Sequence, residues 1–252
     1  MIDMQETMQM RTGEEIDTEE LIRYLHSALG VQANGLSVEQ FPAGSSNLTY
    51  LVRLGDAEYV LLRPPFGNTV KSAHDMGREF SVLSKLSAVY PPAPKPLLFC
   101  DDTDVIGSEF YLMERRNGLV IRGRTPKELA ESPDLRERVC RSFIANLTEL
   151  HAVDYEAAGL GDLGRPEGYC RRQVEGWTKR YSAAKTHEWP ELETAIEWLN
   201  KNLPSESGAS LVHNDYKFDN VMLDPTDLTR ITAALQLEEG GRGPQPVGSG
   251  PR

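Results

Sequence analysis

The sequence has little of what marks secreted, membrane-spanning and nucleic-acid-binding proteins. Its 252 residues include only three cysteines, far apart and without a CxxC pair, which disfavours a disulfide framework and a structural zinc site. No apolar run is long enough to cross a bilayer, and the N-terminus lacks the basic and apolar segments of a secretory signal. Basic residues number 27 against 38 acidic ones, a net charge of −11, which disfavours binding to nucleic acid or an anionic membrane. We therefore expect a cytoplasmic protein with neither kind of partner.

What is present is enough for a globular fold of one or two domains, since 39% of the residues are apolar. Residues 1–16 are polar and predict a flexible arm. Residues 17–114 combine an amphipathic helix, alternating strands and a second helix near 72–89, whereas 120–235 is mainly helical. The polar run 115–119 between them predicts a hinge. The tail, 236–252, is rich in Gly and Pro near its end and is predicted to be disordered.

The most informative segment is the octapeptide HNDYKFDN at residues 213–220. It fits H-x-D-x-x-x-x-N, the pattern of kinase catalytic loops. In such a loop the aspartate accepts the proton of an attacking hydroxyl, and the asparagine five residues later supplies an oxygen to Mg²⁺. Asp215 and Asn220 occupy these two positions. The alternative, a polar surface loop, would require the spacing to arise by accident.

Three N-terminal features follow the order that a kinase-like nucleotide site requires. The turn at residues 43–47 (AGSSN) is small and rich in hydrogen-bond donors, Arg63 ends the third predicted strand, and Glu79 lies on the next helix. Taken alone, each has an ordinary explanation: a hairpin turn, a surface arginine and a solvated glutamate. Their order and spacing together favour a nucleotide site.

With these motifs the chain resembles the aminoglycoside phosphotransferase and choline-kinase-like family. More narrowly, it resembles the kinase-like domains associated with acyl-CoA dehydrogenases. The resemblance covers about residues 17–232 and is carried by segments 40–50, 62–65, 74–80, 110–114 and 213–220. It implies an α+β, protein-kinase-like two-lobe fold, with a small antiparallel-sheet N-lobe containing one main helix and a helical C-lobe. It also implies that ATP and Mg²⁺ are cofactors for phosphate transfer to a small hydroxylated substrate.

The resemblance assigns roles to individual residues. Asp215 would be the catalytic base, Asn220 a magnesium ligand, and Lys217 a cation that neutralises the transferred phosphate. Arg63 would contact phosphate and pair with Glu79. The remaining nucleotide contacts would be Ser45, Ser46 and Asn47 at the phosphates, and the backbone near Glu114 and Arg115 at the adenine.

The chain departs from the family pattern after the catalytic loop. Relatives carry a second metal-binding aspartate behind a short strand, where this chain has Gln236. A neutral amide is a poor replacement for a carboxylate at a hard dication. The resemblance also implies further C-terminal helices, so we expect a truncated chain with an incomplete C-lobe. Phe143, Leu147 and the helix at 189–202 would then be uncovered and open to a partner or to self-association.

Three functions stay open at this point. The first is a phosphotransferase impaired by loss of the second aspartate and of the C-terminal helices. The second is a catalytically inactive nucleotide-binding pseudokinase or fragment, and the third is an interaction module, which no motif supports. The acceptor could be an aminoglycoside or a hydroxylated acyl thioester. The three tryptophans are expected to be core or half-buried residues: Trp177, Trp189 and Trp198.

Overall fold

The computed structural model describes residues 7–31, 35–42, 47–65, 75–204 and 208–237, and the backbone of 241–244. The first half contains α1 (Thr18–Leu29), β1 (Leu36–Gln40), β2 (Leu48–Leu54), β3 (Ala57–Arg63), α2 (Met76–Leu86), β4 (Pro96–Cys100), α3 (Thr103–Ile106) and β5 (Phe110–Glu114). The second half contains β6 (Leu119–Val120), α4 (Lys127–Glu131), α5 (Pro133–His151), α6 (Tyr169–Ala184), α7 (Pro190–Lys201), β7 (Ala209–Val212), a 3₁₀ turn (Phe218–Asn220), β8 (Val221–Leu223), β9 (Ile231–Ala234) and β10 (Gly241–Pro244).

An antiparallel sheet of order β1-β2-β3-β5-β4 forms the N-terminal lobe. Because side chains alternate along each strand, the sheet has two apolar faces. The outer face packs against α1 and α3 through Tyr50, Leu61 and Phe110. The inner face packs against α2 through Leu62 and Tyr111. The inner cluster continues into residues of the second half, namely Leu150, Leu160, Leu211, Ala234 and Leu237. The inner face of the sheet therefore joins the two lobes.

The second lobe is organised around α5. The Ser132 side chain caps this helix by accepting from the backbone N–H of Leu135 at 3.2 Å, and Pro133 occupies its first turn. A small sheet of order β6-β8-β9 lies beside the loop that joins β7 to β8. None of the helices that the structure describes is long and apolar enough to cross a membrane.

The predicted flexible arm is wrong for residues 7–16. The backbone of Met8 exchanges two hydrogen bonds of 2.8 Å with Gln40 at the end of β1. The Gln40 side chain is buried and accepts from the Arg11 N–H at 2.9 Å, and Ile16 is buried in the outer-face cluster. Paired backbone and a buried side chain hold this segment on the lobe. Residues 1–6 lie outside the described residues.

The predicted disordered tail is also wrong in part. Leu237 is buried in the inner-face cluster, and Gly241–Pro244 pairs antiparallel with β7. The glycine and proline content of the tail did not predict this strand, because backbone pairing needs no apolar side chain. The rest of the tail after Leu237 lies outside the described residues.

The burial predicted for the second lobe needs correction at two places. Trp177 and Trp198, expected to be core or half-buried, are 63% and 61% exposed, whereas Trp189 is half-buried at 49% exposed. Neither α6 nor α7 has a buried residue. Phe143, expected to be uncovered, instead packs its ring 4.3 Å from those of Tyr216 and Phe218. The loop at residues 213–220 thus covers Phe143 on α5, while α6 and α7 have no buried residue in the described structure.

Gly118 lies in the connection between β5 and β6, where a side chain would not fit. A Cβ there would lie 2.8 Å from the Met222 Cβ, 2.9 Å from the Thr232 Oγ1 and 3.0 Å from the Leu223 carbonyl oxygen. We expect Gly118→Ala to lower the free energy of unfolding by about 1–3 kcal/mol, because the added methyl overpacks this crossing. Urea unfolding measures the loss.

Gly176→Ala is the matched control for this prediction. Gly176 lies inside α6, and a Cβ there would meet nothing within 4 Å. This substitution should raise stability by about 0.5–1 kcal/mol, because alanine has the higher helix propensity. Equal effects at both positions would contradict the close approach at Gly118.

Candidate active site

The HNDYKFDN loop joins β7 to β8. Leu235, the residue that follows β9, forms hydrogen bonds with both ends of this loop. The backbone N–H of Leu235 donates to the carbonyl oxygen of Asn220 at 2.8 Å. The carbonyl oxygen of Leu235 lies 2.8 Å from Nε2 of the buried His213, so this ring nitrogen carries the proton. Gln236 follows directly, with a positive φ of 56°. The structure therefore brings position 236 beside Asn220, as the family pattern requires.

Asp215 is held through one of its carboxylate oxygens. Its Oδ2 accepts from the Nζ of Lys217 at 2.8 Å and from the Nδ2 of Asn220 at 2.9 Å. The Nδ2 of Asn220 also donates to the backbone carbonyl of Asp215 at 2.9 Å, and Asn220 is 6% exposed. The Asp215 side chain is 41% exposed. The carboxylate is therefore fixed by a buried amide and is still open to a substrate.

The electrostatics of the loop keep Asp215 ionised. The hydrogen bond from Lys217 lowers the pKa of the Asp215 carboxyl below its ordinary value, and the hydrogen bond from Asn220 adds to this effect. A group with a lowered pKa stabilises the fold while it is ionised, so its contribution is present at neutral pH. That contribution is lost as the pH falls through the lowered pKa.

Lys217→Ala should raise the pKa of Asp215 toward the ordinary aspartate value, because the largest stabilising partner of the carboxylate is removed. A carboxyl-detected NMR titration of the folded protein measures the shift. Lys217→Arg keeps the charge and should leave the pKa lowered. An unchanged titration in Lys217→Ala would mean that the ion pair does not form in solution.

A buried hydrogen-bond network anchors the loop to the helical lobe. The hydroxyl of Tyr216 donates to the Asn146 Oδ1 at 2.8 Å, and the hydroxyl of Tyr90 donates to the same oxygen at 2.7 Å. Tyr90 and Asn146 are buried, and desolvation by burial raises the pKa of both tyrosine hydroxyls. Tyr90 follows α2, Asn146 lies on α5, and Tyr216 is next to Asp215. One amide oxygen thus links both lobes to the residue beside the candidate base.

Glu79 and Asn47 come together on the inner side of the sheet. The Asn47 Nδ2 donates to both carboxylate oxygens of Glu79, at 3.1 and 3.3 Å, and both residues are buried. Asn47, the last residue of the predicted phosphate-covering turn, is thereby hydrogen-bonded to α2. Ser45 and Ser46, the other two predicted phosphate contacts, lie outside the described residues.

Arg63 is not where the sequence predicted it. It is 1% exposed, and its Nη1 donates to the carbonyl oxygen of Ile106 at 3.0 Å. Leu48, its partner across the sheet, is in the outer-face cluster, and alternation places Leu62 on the inner face that packs against α2. Arg63 and Glu79 therefore belong to opposite faces, which contradicts the predicted pair. A buried guanidinium on the outer side cannot reach the phosphates of a nucleotide in the cleft.

Glu114 and Arg115 use their side chains to hold the connection between the lobes. Oε1 of Glu114 accepts from the backbone N–H of Lys95 and from Nε of Arg116, both at 2.8 Å. Arg115 forms an ion pair with Glu58 on β3. These contacts leave the adenine-binding role a prediction that concerns the backbone alone.

The loop offers a cation mainly neutral oxygens. Because the Nδ2 of Asn220 faces Asp215, its amide oxygen is the group left for a metal, and Gln236 could add a second amide oxygen. In the part of the chain that the structure describes, no cluster of three His, Cys, Asp or Glu side chains could hold a metal ion. Mg²⁺ prefers anionic oxygens. This donor set fits Mg²⁺ poorly.

Known proteins are similar in sequence to most of this chain. A profile described as the phosphotransferase enzyme family matches residues 37–244. Human acyl-CoA dehydrogenase family member 11 is 37% identical over 227 residues, which are 88% of this chain and 29% of that protein. Mouse acyl-CoA dehydrogenase family member 10 is 35% identical over 233 residues, 92% of this chain and 22% of that protein. The chain thus spans less than a third of the length of these curated relatives.

Solved structures agree with the predicted kinase-like fold. A Ralstonia eutropha protein, provisionally assigned as an aminoglycoside phosphotransferase, is 33% identical with a TM-score of 0.79, covering 92% of this chain and 67% of that one. The streptomycin–ATP ternary complex of APH(2")-IIa is 18% identical with a TM-score of 0.61, covering 92% and 73%. The latter likeness concerns the fold alone. The predicted α+β two-lobe fold and the predicted family are confirmed, and the chain belongs to the phosphotransferase enzyme family.

Proposed function

We propose that this chain binds ATP between its lobes and carries the site of a phosphotransferase that moves the terminal phosphoryl group to a hydroxyl of a small molecule, with Asp215 as the catalytic base and with transfer impaired in this chain. The observation that carries the proposal is the fixed position of Asp215, whose Oδ2 is held by Lys217 and the buried Asn220 while its side chain stays open to solvent. A structural neighbour of the same fold is a ternary complex with ATP and streptomycin, which supports ATP as the donor.

The chemistry follows from the charges of the loop. Ionised Asp215 accepts the hydroxyl proton as the acceptor oxygen bonds to the γ-phosphorus, and the bond from that phosphorus to the bridging oxygen breaks to release ADP. Lys217, 2.8 Å from Asp215 and half exposed, can turn toward the phosphate and offset its negative charge. The low pKa of Asp215 keeps it deprotonated at neutral pH.

Gln236 supports a second candidate, a catalytically inactive nucleotide-binding pseudokinase domain. In this family Mg²⁺ would balance phosphate charge, and the residues that would hold it here are Asn220 and Gln236, both of which offer neutral amide oxygens. We therefore propose that the neutral residue at 236 impairs transfer and that nucleotide binding is retained. The two candidate functions predict different rates of phosphate transfer, and both predict nucleotide binding.

We propose two classes of phosphate acceptor. Names of the curated relatives point to acyl-CoA chemistry, which supports a hydroxylated acyl thioester. The structural neighbour with streptomycin supports an aminoglycoside. We propose a cytoplasmic location, which the low number of cysteines supports.

Calorimetric titration with ATP and with ADP tests the binding that both candidates share. We expect weak but saturable binding of each nucleotide to the folded protein. Lys217→Ala should weaken ATP binding, whereas Lys127→Ala on α4, a lysine 79% exposed, should not. Well-folded protein that binds neither nucleotide would overturn the proposal.

A further inference from the structure

The segment at residues 7–16, which we call the docked arm, is bound to the end of β1 that leads into the predicted phosphate-covering turn. The backbone of Met8 pairs with Gln40, the last residue of β1, through two hydrogen bonds of 2.8 Å. The Gln40 side chain is 1% exposed, and its Oε1 accepts from the backbone N–H of Arg11 at 2.9 Å. One buried glutamine thus fixes two points of the docked arm.

Arg11 extends these contacts to the residue through which the chain enters the predicted turn. Its Nη2 donates to the backbone carbonyl oxygen of Pro42 at 2.8 Å, and Pro42 directly precedes the turn predicted at residues 43–47. A charged donor makes a stronger hydrogen bond to a carbonyl than a neutral donor does. The point at which the chain leaves β1 for the turn is therefore held by a side chain of the docked arm.

Glu14 joins the docked arm to both strands that flank the turn. Its backbone carbonyl oxygen accepts from the hydroxyl of Tyr50 on β2 at 2.8 Å. Its carboxylate accepts from the Nε2 of Gln40 and forms an ion pair with the Nη1 of Arg11 at 3.4 Å. Gln40 and Tyr50 are both buried, and they form the last residue pair between β1 and β2 before the turn. The docked arm therefore holds this last pair as well as Pro42.

The far end of the predicted turn is held by a different part of the lobe. Asn47 donates to both carboxylate oxygens of Glu79 on α2, at 3.1 and 3.3 Å. The two ends of the turn are thus fixed by the docked arm at Pro42 and by α2 at Asn47. A short turn between two strands depends on how those strands are placed, so the loss of either contact would displace the predicted phosphate contacts.

We propose that the docked arm belongs to the nucleotide site, with Arg11 as a positioning residue that holds the phosphate-covering turn through the Pro42 carbonyl. This inference rests on the proposed function, because it assigns the arm to the site at which that function places ATP. The turn is assigned to the phosphates of the nucleotide, so the arm is coupled to the phosphates and not to the base. Such coupling is reciprocal: the arm contact strengthens ATP binding, and bound ATP stabilises the docked arm.

Calorimetric titration with ATP and with adenosine separates positioning from a general loss of structure. Arg11→Ala should weaken ATP binding about fivefold or more and should leave adenosine binding unchanged, because adenosine has no phosphate. Arg11→Lys should restore part of the ATP affinity, since its ammonium group keeps a charged donor for the Pro42 carbonyl. Arg23→Ala is the matched control, because Arg23 lies on α1 with a side chain 66% exposed and an ion pair to Glu20. It should change neither affinity.

Amide hydrogen exchange tests the reciprocal effect in the unmodified chain, without any substitution. The backbone N–H groups of Met8 and Arg11, which donate to Gln40, should exchange about fivefold more slowly with saturating ATP than with saturating adenosine.

The outcomes separate this inference from the proposed function. The inference alone would be overturned by an ATP affinity that Arg11→Ala leaves intact, by an equal loss of ATP and adenosine binding, or by exchange in the docked arm that ATP does not slow. An unmodified chain that binds neither ATP nor adenosine would overturn the proposed function, and the inference with it.

Discussion

Gln236→Asp should strengthen the Mg²⁺-dependent part of ATP binding by about tenfold or more. The two backbone hydrogen bonds of Leu235, to Asn220 and from His213, fix position 236 beside the catalytic loop. A carboxylate there would give the cation an anionic oxygen next to the amide oxygen of Asn220. The φ of 56° at this position suits aspartate, which tolerates left-handed backbone better than glutamine does. Calorimetry with and without Mg²⁺ isolates the metal-dependent part.

Gln236→Asn is the matched control, because asparagine tolerates the same backbone and adds no charge. It should leave the Mg²⁺ dependence as it is in the unmodified chain. If Asp and Asn gave equal affinities, charge at 236 would not be what limits the metal, and the placement of this residue at the cation would be contradicted.

Asn146→Ala should lower the free energy of unfolding by about 2–4 kcal/mol, because it leaves two buried tyrosine hydroxyls without their shared acceptor. Tyr90 and Tyr216 both donate to the Asn146 Oδ1, at 2.7 and 2.8 Å. The loop that carries Asp215 would lose its hydrogen bond to Asn146 and would keep its contacts with Phe143 on α5. Urea unfolding measures the stability, and amide exchange in residues 213–220 should accelerate.

A double-mutant cycle separates the network from a simple loss of packing. Tyr90→Phe and Tyr216→Phe should each cost about 1 kcal/mol in the unmodified chain. In the Asn146→Ala background Tyr90→Phe should cost little or stabilise, because the Tyr90 hydroxyl then keeps only a long contact of 3.4 Å with the backbone carbonyl of residue 146. Tyr216→Phe should keep part of its cost, because the Tyr216 hydroxyl still donates to the Phe143 carbonyl oxygen at 3.0 Å. Additive costs would show that the hydroxyls do not depend on Asn146.

The catalytic loop could be predicted because its chemistry is written in eight consecutive residues. Asp215 contacts both Asn220 and Lys217 within the loop, and their catalytic roles stay predictions. The position of Gln236 beside Asn220 also followed, since a short strand leads to it. Local order along the chain was enough for these residues.

The errors have a different physical origin. The strand β3 ends in three buried residues, Leu61, Leu62 and Arg63. Because both faces of the strand are covered there, the sequence shows no alternation of polar and apolar residues that would indicate which side chain faces α2. Asn146 was missed because its partners are 56 and 70 residues away in sequence, and a single asparagine in a helix gives no signal. Trp177 and Trp198 were expected to be core or half-buried because large aromatic side chains usually are, whereas their burial depends on what covers α6 and α7.

The central claim is that Asp215 is the base of a phosphotransferase site that is impaired at position 236. Acceptor-dependent ADP release tests this claim most directly. The assay compares the unmodified chain, Gln236→Asp and Gln236→Asp/Asp215→Ala over a panel of aminoglycosides and hydroxylated acyl thioesters. We expect negligible release from the unmodified chain, a measurable rate with one acceptor class in Gln236→Asp, and loss of that rate, by about 10²-fold or more, when Asp215 is removed. ADP release that persists without Asp215, or robust release from the unmodified chain, would contradict the account.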